Sequence, residues 1–316
     1  MHKDHTVAVV IPAYNEAQNI GRVIDAIPGF VDQVIVVDDG SVDGTAEIAH
    51  QKNALVVRHN ANKGVGAAFN SGVNKVLELN YDLMVNMDAD GQFNPADIIH
   101  IITPIVEHQA DFVTASRFKD KSFYPEMSRV KFLGNRFMSW FVSRLTKQRF
   151  YDVSCGFRAY RRETLLRLNL FGDFTYTQES FIDLAFKKLV IREIPVAVRG
   201  KREHGKSRVA SNLFRYAYQT SKIIIRAFRD YKPFKLFGFV SLFAFLVGLG
   251  FGVFLLIHYI QQGEFSPHKW AGFVSGFFVI LSLFFLIIGF ILDMFARMRM
   301  NQEEIMYQLK RQFSNG

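Results

Sequence analysis

Between Thr6 and about Thr114 the chain alternates short apolar runs with stretches whose apolar residues recur at helical spacing. Val7 to Ile11, Gln33 to Val37, Ala54 to Val57, Tyr81 to Met87 and Asp111 to Thr114 read as strands, each short and bounded by polar residues. Helical patterns fall between them at about 16–27, 43–53, 64–79 and 95–108, the last opened by the cap-and-proline pair Asn94-Pro95. Strands that are apolar almost throughout, separated by helices, predict an α/β domain with a mainly parallel, doubly wound sheet covered on both faces. From Ser116 to Gly205 the rhythm weakens. It predicts helices near 129–147 and 178–190 and a strand from Glu193 to Val198.

Two later stretches break the pattern. Leu236 to Ile260 and Trp270 to Leu292 contain no Asp, Glu, Lys or Arg, and as helices each is long enough to cross a bilayer core of about 30 Å. Ahead of them, from 211 to 235, apolar Leu213, Phe214, Ala217, Ile224 and Phe228 recur among Arg215, Lys222, Arg226 and Arg229, which predicts an amphipathic helix at a membrane interface. The expected organisation is therefore a globular domain over 1–210, a juxtamembrane helix over 211–235, two spans at 236–260 and 270–292, and a tail over 293–316.

Charge gives the spans a direction. Lys222, Arg226, Arg229, Lys232 and Lys235 precede the first, and Arg297, Arg299, Lys310 and Arg311 follow the second, whereas the connector Gln261 to Lys269 carries one Lys and one Glu. That asymmetry predicts both termini and the globular domain in the cytoplasm, at the cytoplasmic membrane. His2-Lys3-Asp4-His5 leads directly into the first strand, so no signal peptide is expected. The single cysteine, Cys155, excludes an internal disulfide. A net charge of +9 raises nucleic acid as a partner. The basic residues gather beside the spans and in loops without a recognisable nucleic-acid module, so no nucleic acid is expected; an anionic membrane surface and phosphate-bearing substrates account for them.

Candidate chemistry gathers where strands end. Asp88-Ala89-Asp90 follows the fourth strand, and carboxylates two residues apart on an extended chain can face one site. Such hard oxygen donors suit Mg²⁺ or Mn²⁺. Pro12-Ala13-Tyr14-Asn15-Glu16 follows the first strand, Asp38-Asp39-Gly40-Ser41 the second, and Asn62-Lys63-Gly64-Val65-Gly66 enters a helix whose amino end favours anions. In a doubly wound sheet these loops converge on one crevice, which predicts a nucleotide site.

Val10-Ile11-Pro12-Ala13-Tyr14-Asn15-Glu16, Val37-Asp38-Asp39-Gly40-Ser41-Val42-Asp43-Gly44-Thr45 and Asn62-Lys63-Gly64-Val65-Gly66 resemble family 2 glycosyltransferases of GT-A fold, from about Val7 to Val209. Asp152-Val153-Ser154-Cys155-Gly156-Phe157-Arg158 and Arg202-Glu203-His204-Gly205-Lys206-Ser207-Arg208 resemble the polyprenyl-phosphate branch, which includes dolichol-phosphate mannose synthases and bacterial undecaprenyl-phosphate sugar transferases. The resemblance implies an inverting transfer of one sugar from a nucleotide-sugar to undecaprenyl or dolichyl phosphate; the base stays open between UDP and GDP, with UDP ahead. It also implies a homo-oligomer, a tetramer in the bacterial type.

The resemblance further implies residue roles. Pro12, Tyr14, Glu16, Asp39 and Lys63 would line the nucleotide-sugar together with Asp88, and Asp88, Asp90 and Gln92 would hold the metal. Candidate cations for the lipid phosphate are Arg117, Arg129, Lys131, Arg136, Arg202 and Arg208, with Arg117, Arg202 and Arg208 favoured and Arg136 kept beside them. The family pattern usually has Lys at the Arg208 position. Asp152 is the candidate general base, with Glu179 second, although an already ionised lipid phosphate needs little proton removal. Asp90 and Arg117 complete the expected catalytic set. Two other readings compete. A processive polysaccharide synthase usually carries Gln-x-x-Arg-Trp late in its domain, and neither Trp140 nor Trp270 closes that motif. An inactive nucleotide-binding scaffold is disfavoured by the intact Asp39, Lys63, Asp88 and Asp90.

Overall fold

In a computed structural model the described residues are 1–170, 176–199 and 231–313, with Lys222, Arg226 and Arg229 between. They divide into two compact units, Met1–Tyr216 together with Met306–Gly316, and Ala217–Ile305.

The first unit is built on a seven-stranded sheet. Its strands are β1 (Val7–Ala13), β2 (Gln33–Asp38), β3 (Leu55–Arg58), β4 (Leu83–Asn86), β5 (Phe112–Ser116), β6 (Arg158–Arg161) and β7 (Ile191–Pro195), in the spatial order β3-β2-β1-β4-β6-β5-β7. The helices are α1 (Ala17–Asp25), α2 (Thr45–Gln51), α3 (Val65–Glu78), α4 (Ile98–Val106), α5 (Arg129–Thr146), α6 (Arg162–Arg167) and α7 (Tyr176–Phe186). Val7, Val9 and Ile11 of β1 and Leu83 and Val85 of β4 are fully or almost fully buried, which is why these strands read as unbroken apolar runs.

The pairing differs from a uniformly parallel sheet in one place. β1 pairs parallel with β2 and β4, β2 with β3, and β5 with β7, but β6 runs antiparallel between β4 and β5. The carboxyl ends of β1, β2, β3, β4, β5 and β7 therefore emerge on the same edge as the amino end of β6. Every loop that carries candidate chemistry leaves from that edge. The expected last strand also moves: β7 begins at Ile191, because pairing of Phe112 with Ile191 through Ser116 with Pro195 sets its register.

The second unit holds α8 (Pro233–Gln262) and α9, which as a helix runs from Lys269 to Phe313. Both are long and apolar enough to cross a membrane. Ser241 Oγ donates to the Ser282 carbonyl and Ser275 Oγ to the Gly248 carbonyl, both at 2.8 Å, so small residues let the two backbones approach closely. α9 does not stop at Leu292, where the apolar run ends; no Gly or Pro interrupts the polar residues that follow. Its final turns belong to the first unit. There Tyr307 is buried, its Oη donates to Glu163 Oε1 at 2.6 Å, and the Arg167 guanidinium lies 4.2 Å from its ring centre.

Candidate active site

The loop after β2 is held by a dense set of hydrogen bonds. Gly40 has a φ of +77°, and a Cβ there would sit 2.8 Å from the Ala61 backbone carbon, so the turn requires glycine. The turn brings Asp39 under the amino end of α3. Asp39 Oδ1 accepts from the Lys63 backbone N–H at 2.9 Å and Oδ2 from Gly64 N–H at 2.8 Å. His59 Nδ1 lies 2.7 Å from Asp39 Oδ1, and its Nε2 lies 2.9 Å from Ser71 Oγ. His59 and Asp39 are both buried. A proton on Nδ1 is thus aimed at the carboxylate, while Nε2 faces the Ser71 hydroxyl.

The loop after β1 is laced to the same turn. Asn15 N–H donates to Ser41 Oγ at 2.8 Å, Glu16 N–H to Thr45 Oγ1 at 2.9 Å, and Val42 N–H to Asn15 Oδ1 at 3.0 Å. Pro12 near the end of β1 and Tyr14 and Glu16 in this loop are half-buried, while Lys63 is exposed. Together with Asp39, these four predicted residues sit at neighbouring strand ends and loops of one sheet edge.

Asp88 and Asp90 follow β4 on that edge, Asp88 half-buried and Asp90 buried. Asp90 Oδ1 accepts from Gln92 N–H at 3.0 Å. Gln92 is bracketed to the segment that follows β7: its Nε2 donates to the Arg199 carbonyl at 2.8 Å, and Arg199 N–H donates to the Gln92 carbonyl at 3.1 Å. Its amide oxygen is then the atom it can present to a cation. The donor set fits a hard divalent ion. So does the space beside it, because a Cβ on Gly156 would lie 3.0 Å from both Asp88 carboxylate oxygens. Among the described residues no group of three His, Cys, Asp or Glu side chains is placed to hold a metal ion.

Arg117 and Asp152 come together as one unit. Arg117 Nε donates to Asp152 Oδ2 at 2.7 Å, Nη2 to Oδ1 at 2.9 Å, and the Arg117 backbone N–H to Oδ2 at 3.1 Å. Asp152 is fully buried and the arginine retains 18 % side-chain exposure. Burial alone would raise the Asp152 pKa, but the Arg117 guanidinium outweighs it and holds the carboxyl below the usual range. Burial opposes the charge on Arg117 in turn, and Asp152 outweighs that, with Asp88 adding to the same effect. A carboxylate so engaged is a weak proton acceptor. Beside it, burial pushes the Cys155 thiol up to about 12, keeping it protonated.

Glu193, which no motif announced, holds this loop from below. It accepts from Tyr151 N–H at 2.9 Å and from Asp152 N–H at 2.8 Å, and burial raises its pKa. Asn86, His59 and Ser71 were likewise missed. Only Asn86 left a signal, as a polar residue inside an apolar strand. Glu179 lies in the first turn of α7. Arg129, Lys131 and Arg136 are exposed on α5. Arg202, Arg208 and most of the expected amphipathic helix lie outside the described residues.

The sequence matches the glycosyl transferase family 2 description over residues 8–168. A UDP-N-acetylglucosamine–dolichyl-phosphate N-acetylglucosaminyltransferase of Methanococcus voltae is 32% identical over 214 residues, covering 61% of this chain and 85% of that protein. A polyprenol monophosphomannose synthase of Mycolicibacterium smegmatis is 30% identical, covering 66% and 83%. The fold resembles glucosyl-3-phosphoglycerate synthase of Mycobacterium tuberculosis, solved with Mn²⁺, UDP and glucosyl-3-phosphoglycerate, at a TM-score of 0.54 and 23% identity over 71% of this chain and 78% of that one. The GT-A-like sheet, the convergence of the β1, β2 and β4 loops on one edge and the sequence match agree: the chain belongs to glycosyl transferase family 2, and is a glycosyltransferase.

Proposed function

We propose that the chain transfers one sugar from a nucleotide-sugar to a polyprenyl phosphate held in a membrane. The observation that carries this reading is the placement of the Asp88/Asp90 pair and the Arg117–Asp152 pair on one sheet edge, in a chain that also holds two membrane-length apolar helices. The relatives' names support the acceptor class, and the Mn²⁺ and UDP in the structural relative support a divalent ion and a uridine donor.

In this reading the loops around Asp39 and Tyr14 bind the nucleoside, with the Lys63-Gly64 turn locked by Asp39. Asp88 and Asp90, with the Gln92 amide oxygen, would hold the metal. When bound, Mg²⁺ or Mn²⁺ offsets the charge that builds on the departing nucleoside diphosphate. Arg117 receives the lipid phosphate, whose oxygen attacks the anomeric carbon. One carbon–oxygen bond to that phosphate forms as the bond to the diphosphate breaks, inverting the centre. Asp152 orients Arg117 rather than taking a proton, because its oxygens already serve the guanidinium. Arg136, Arg202 and Arg208 would complete the acceptor side.

The acceptor's source is supported by α5. Val130, Leu133, Phe137 and Trp140 form an exposed stripe along it, with Trp140 60% exposed. From Arg129 to Arg149 there are six basic residues and no acidic one. An apolar stripe flanked by cations suits the interface of an anionic bilayer. The Lys and Arg asymmetry around the spans supports the globular domain and both termini on the cytoplasmic side, and a homo-oligomer is carried over from the family resemblance. In this reading 1–210 is catalytic, 211–235 juxtamembrane, 236–260 and 270–292 lie in the bilayer, and 293–316 is a cytoplasmic tail whose last turns fall within the first compact unit.

The test is a panel of radiolabelled nucleotide-sugars given to the purified chain with Mn²⁺ and undecaprenyl or dolichyl phosphate, followed by organic extraction. Label should enter the organic phase with one donor, only with the lipid and the metal both present. No transfer from any UDP- or GDP-sugar would overturn the reading.

A further inference from the structure

Arg158 opens β6 and is the largest fully buried side chain described. A buried guanidinium is costly unless paired, yet among the described residues it meets only neutral acceptors. Nε donates to the Cys155 carbonyl at 2.7 Å, Nη2 to the Val153 carbonyl at 3.1 Å, and Nη1 to Ser180 Oγ at 2.5 Å. The rings of Phe181, Tyr176 and Phe112 surround it, with centres 5.0, 5.6 and 5.7 Å away. In the sheet it pairs with Asn86 of β4 on one side and Thr114 of β5 on the other.

Two of its three hydrogen bonds end on the strap 152–156. Asn86 secures the next carbonyl of the same strap, donating from Nδ2 to the Gly156 oxygen at 2.8 Å and also to Tyr176 Oη at 2.8 Å. At one end the strap carries Asp152, which grips Arg117. At the other it carries Gly156, whose bare Cα faces both oxygens of Asp88. The strap thus touches the donor half and the acceptor half of the proposed site, and one side chain braces it from beneath. No cheaper residue offers this: a lysine would supply a point charge that cannot span two carbonyls in a fixed fork.

We propose that Arg158 is a positioning residue for the transfer reaction: through the Val153 and Cys155 carbonyls it sets the strap that backs Asp88 and presents Asp152 to Arg117. The inference rests on the metal role of Asp88 given above, and predicts that weakening this fork loosens the metal before it loosens the fold.

The test uses the full chain in detergent, with Mn²⁺ titrated by electron paramagnetic resonance in the presence of UDP and, separately, GDP. Arg158→Lys should weaken Mn²⁺ binding at least about tenfold, the range seen when residues supporting a metal ligand are changed. Ser180→Ala, which keeps the charge and removes one acceptor, should weaken it by about threefold, the order of one neutral hydrogen bond's net contribution, while its thermal unfolding midpoint stays within about 3 °C of wild type. In transfer assays the loss should appear in the Mn²⁺ requirement, with partial recovery at saturating metal. If Arg158→Lys unfolds, Ser180→Ala decides. Folded variants that bind Mn²⁺ as wild type does would overturn the proposal. A wild-type chain that binds Mn²⁺ with neither diphosphate would instead overturn the metal reading on which it rests.

Discussion

Arg117 meets Asp152 fork to fork, Nε to Oδ2 at 2.7 Å and Nη2 to Oδ1 at 2.9 Å. If Asp152 serves as a clamp, then Asp152→Asn should lower kcat while leaving the shape of the pH–rate profile intact. Loss of an ascending limb in that variant would instead identify Asp152 as a base. Arg117→Lys should behave almost like Arg117→Ala, because an ammonium cannot reproduce the two parallel bonds. Steady-state transfer measured from pH 5 to 9 separates these outcomes.

The same pair makes a prediction about stability. The Asp152 carboxyl has a folded-state pKa below its unfolded value, so its contribution is present above about pH 4, the unfolded value, and fades as pH falls through the lower folded one. The gap in unfolding midpoint between wild type and Asp152→Asn should therefore be widest near neutrality and close on acidification. Glu193, whose pKa is raised, acts oppositely: its protonation favours the fold, so Glu193→Gln should narrow the loss of stability at high rather than low pH. Arg117→Met leaves Asp152 buried without its cation and should cost about 3 kcal/mol at pH 7, read by chemical denaturation.

His59 should govern donor affinity through Asp39. His59→Ala removes the 2.7 Å contact and should raise the KM for the nucleotide-sugar about tenfold with kcat kept, equivalent to about 1.4 kcal/mol. His59→Asn places an amide donor near the former Nδ1 and should recover most of that loss. Equal KM values for both variants and wild type would remove His59 from the site.

What the sequence disclosed and what it hid follow a physical line. β1, β2 and β4 announced themselves because they are buried on both faces, and each ends at its chemistry within a few residues. β6 was silent: Arg-Ala-Tyr-Arg has no apolar run, and Arg158 is buried only because carbonyls and a hydroxyl from elsewhere receive it. Its antiparallel insertion could not be read from strands that all looked parallel. The Asp88/Asp90 pair was legible from local spacing. Its support was not, since Asn86, Gly156 and Tyr176 meet across 70 and 90 positions of chain. His59 and Ser71 are likewise joined to Asp39 only by folding. The expected end of the second span at Leu292 marked the end of apolarity, and helicity simply continued.

The docking of Tyr307 gives that continuation a topological meaning. The chain leaves the first compact unit after Tyr216 and rejoins it at Met306. The membrane-length segment is therefore an excursion out of the catalytic unit and back, closed by the Tyr307–Glu163 bond and the Arg167–Tyr307 contact. A polypeptide nicked once within that excursion would still be held at its far anchor. Losing those last turns would turn a closed circuit into a single tether.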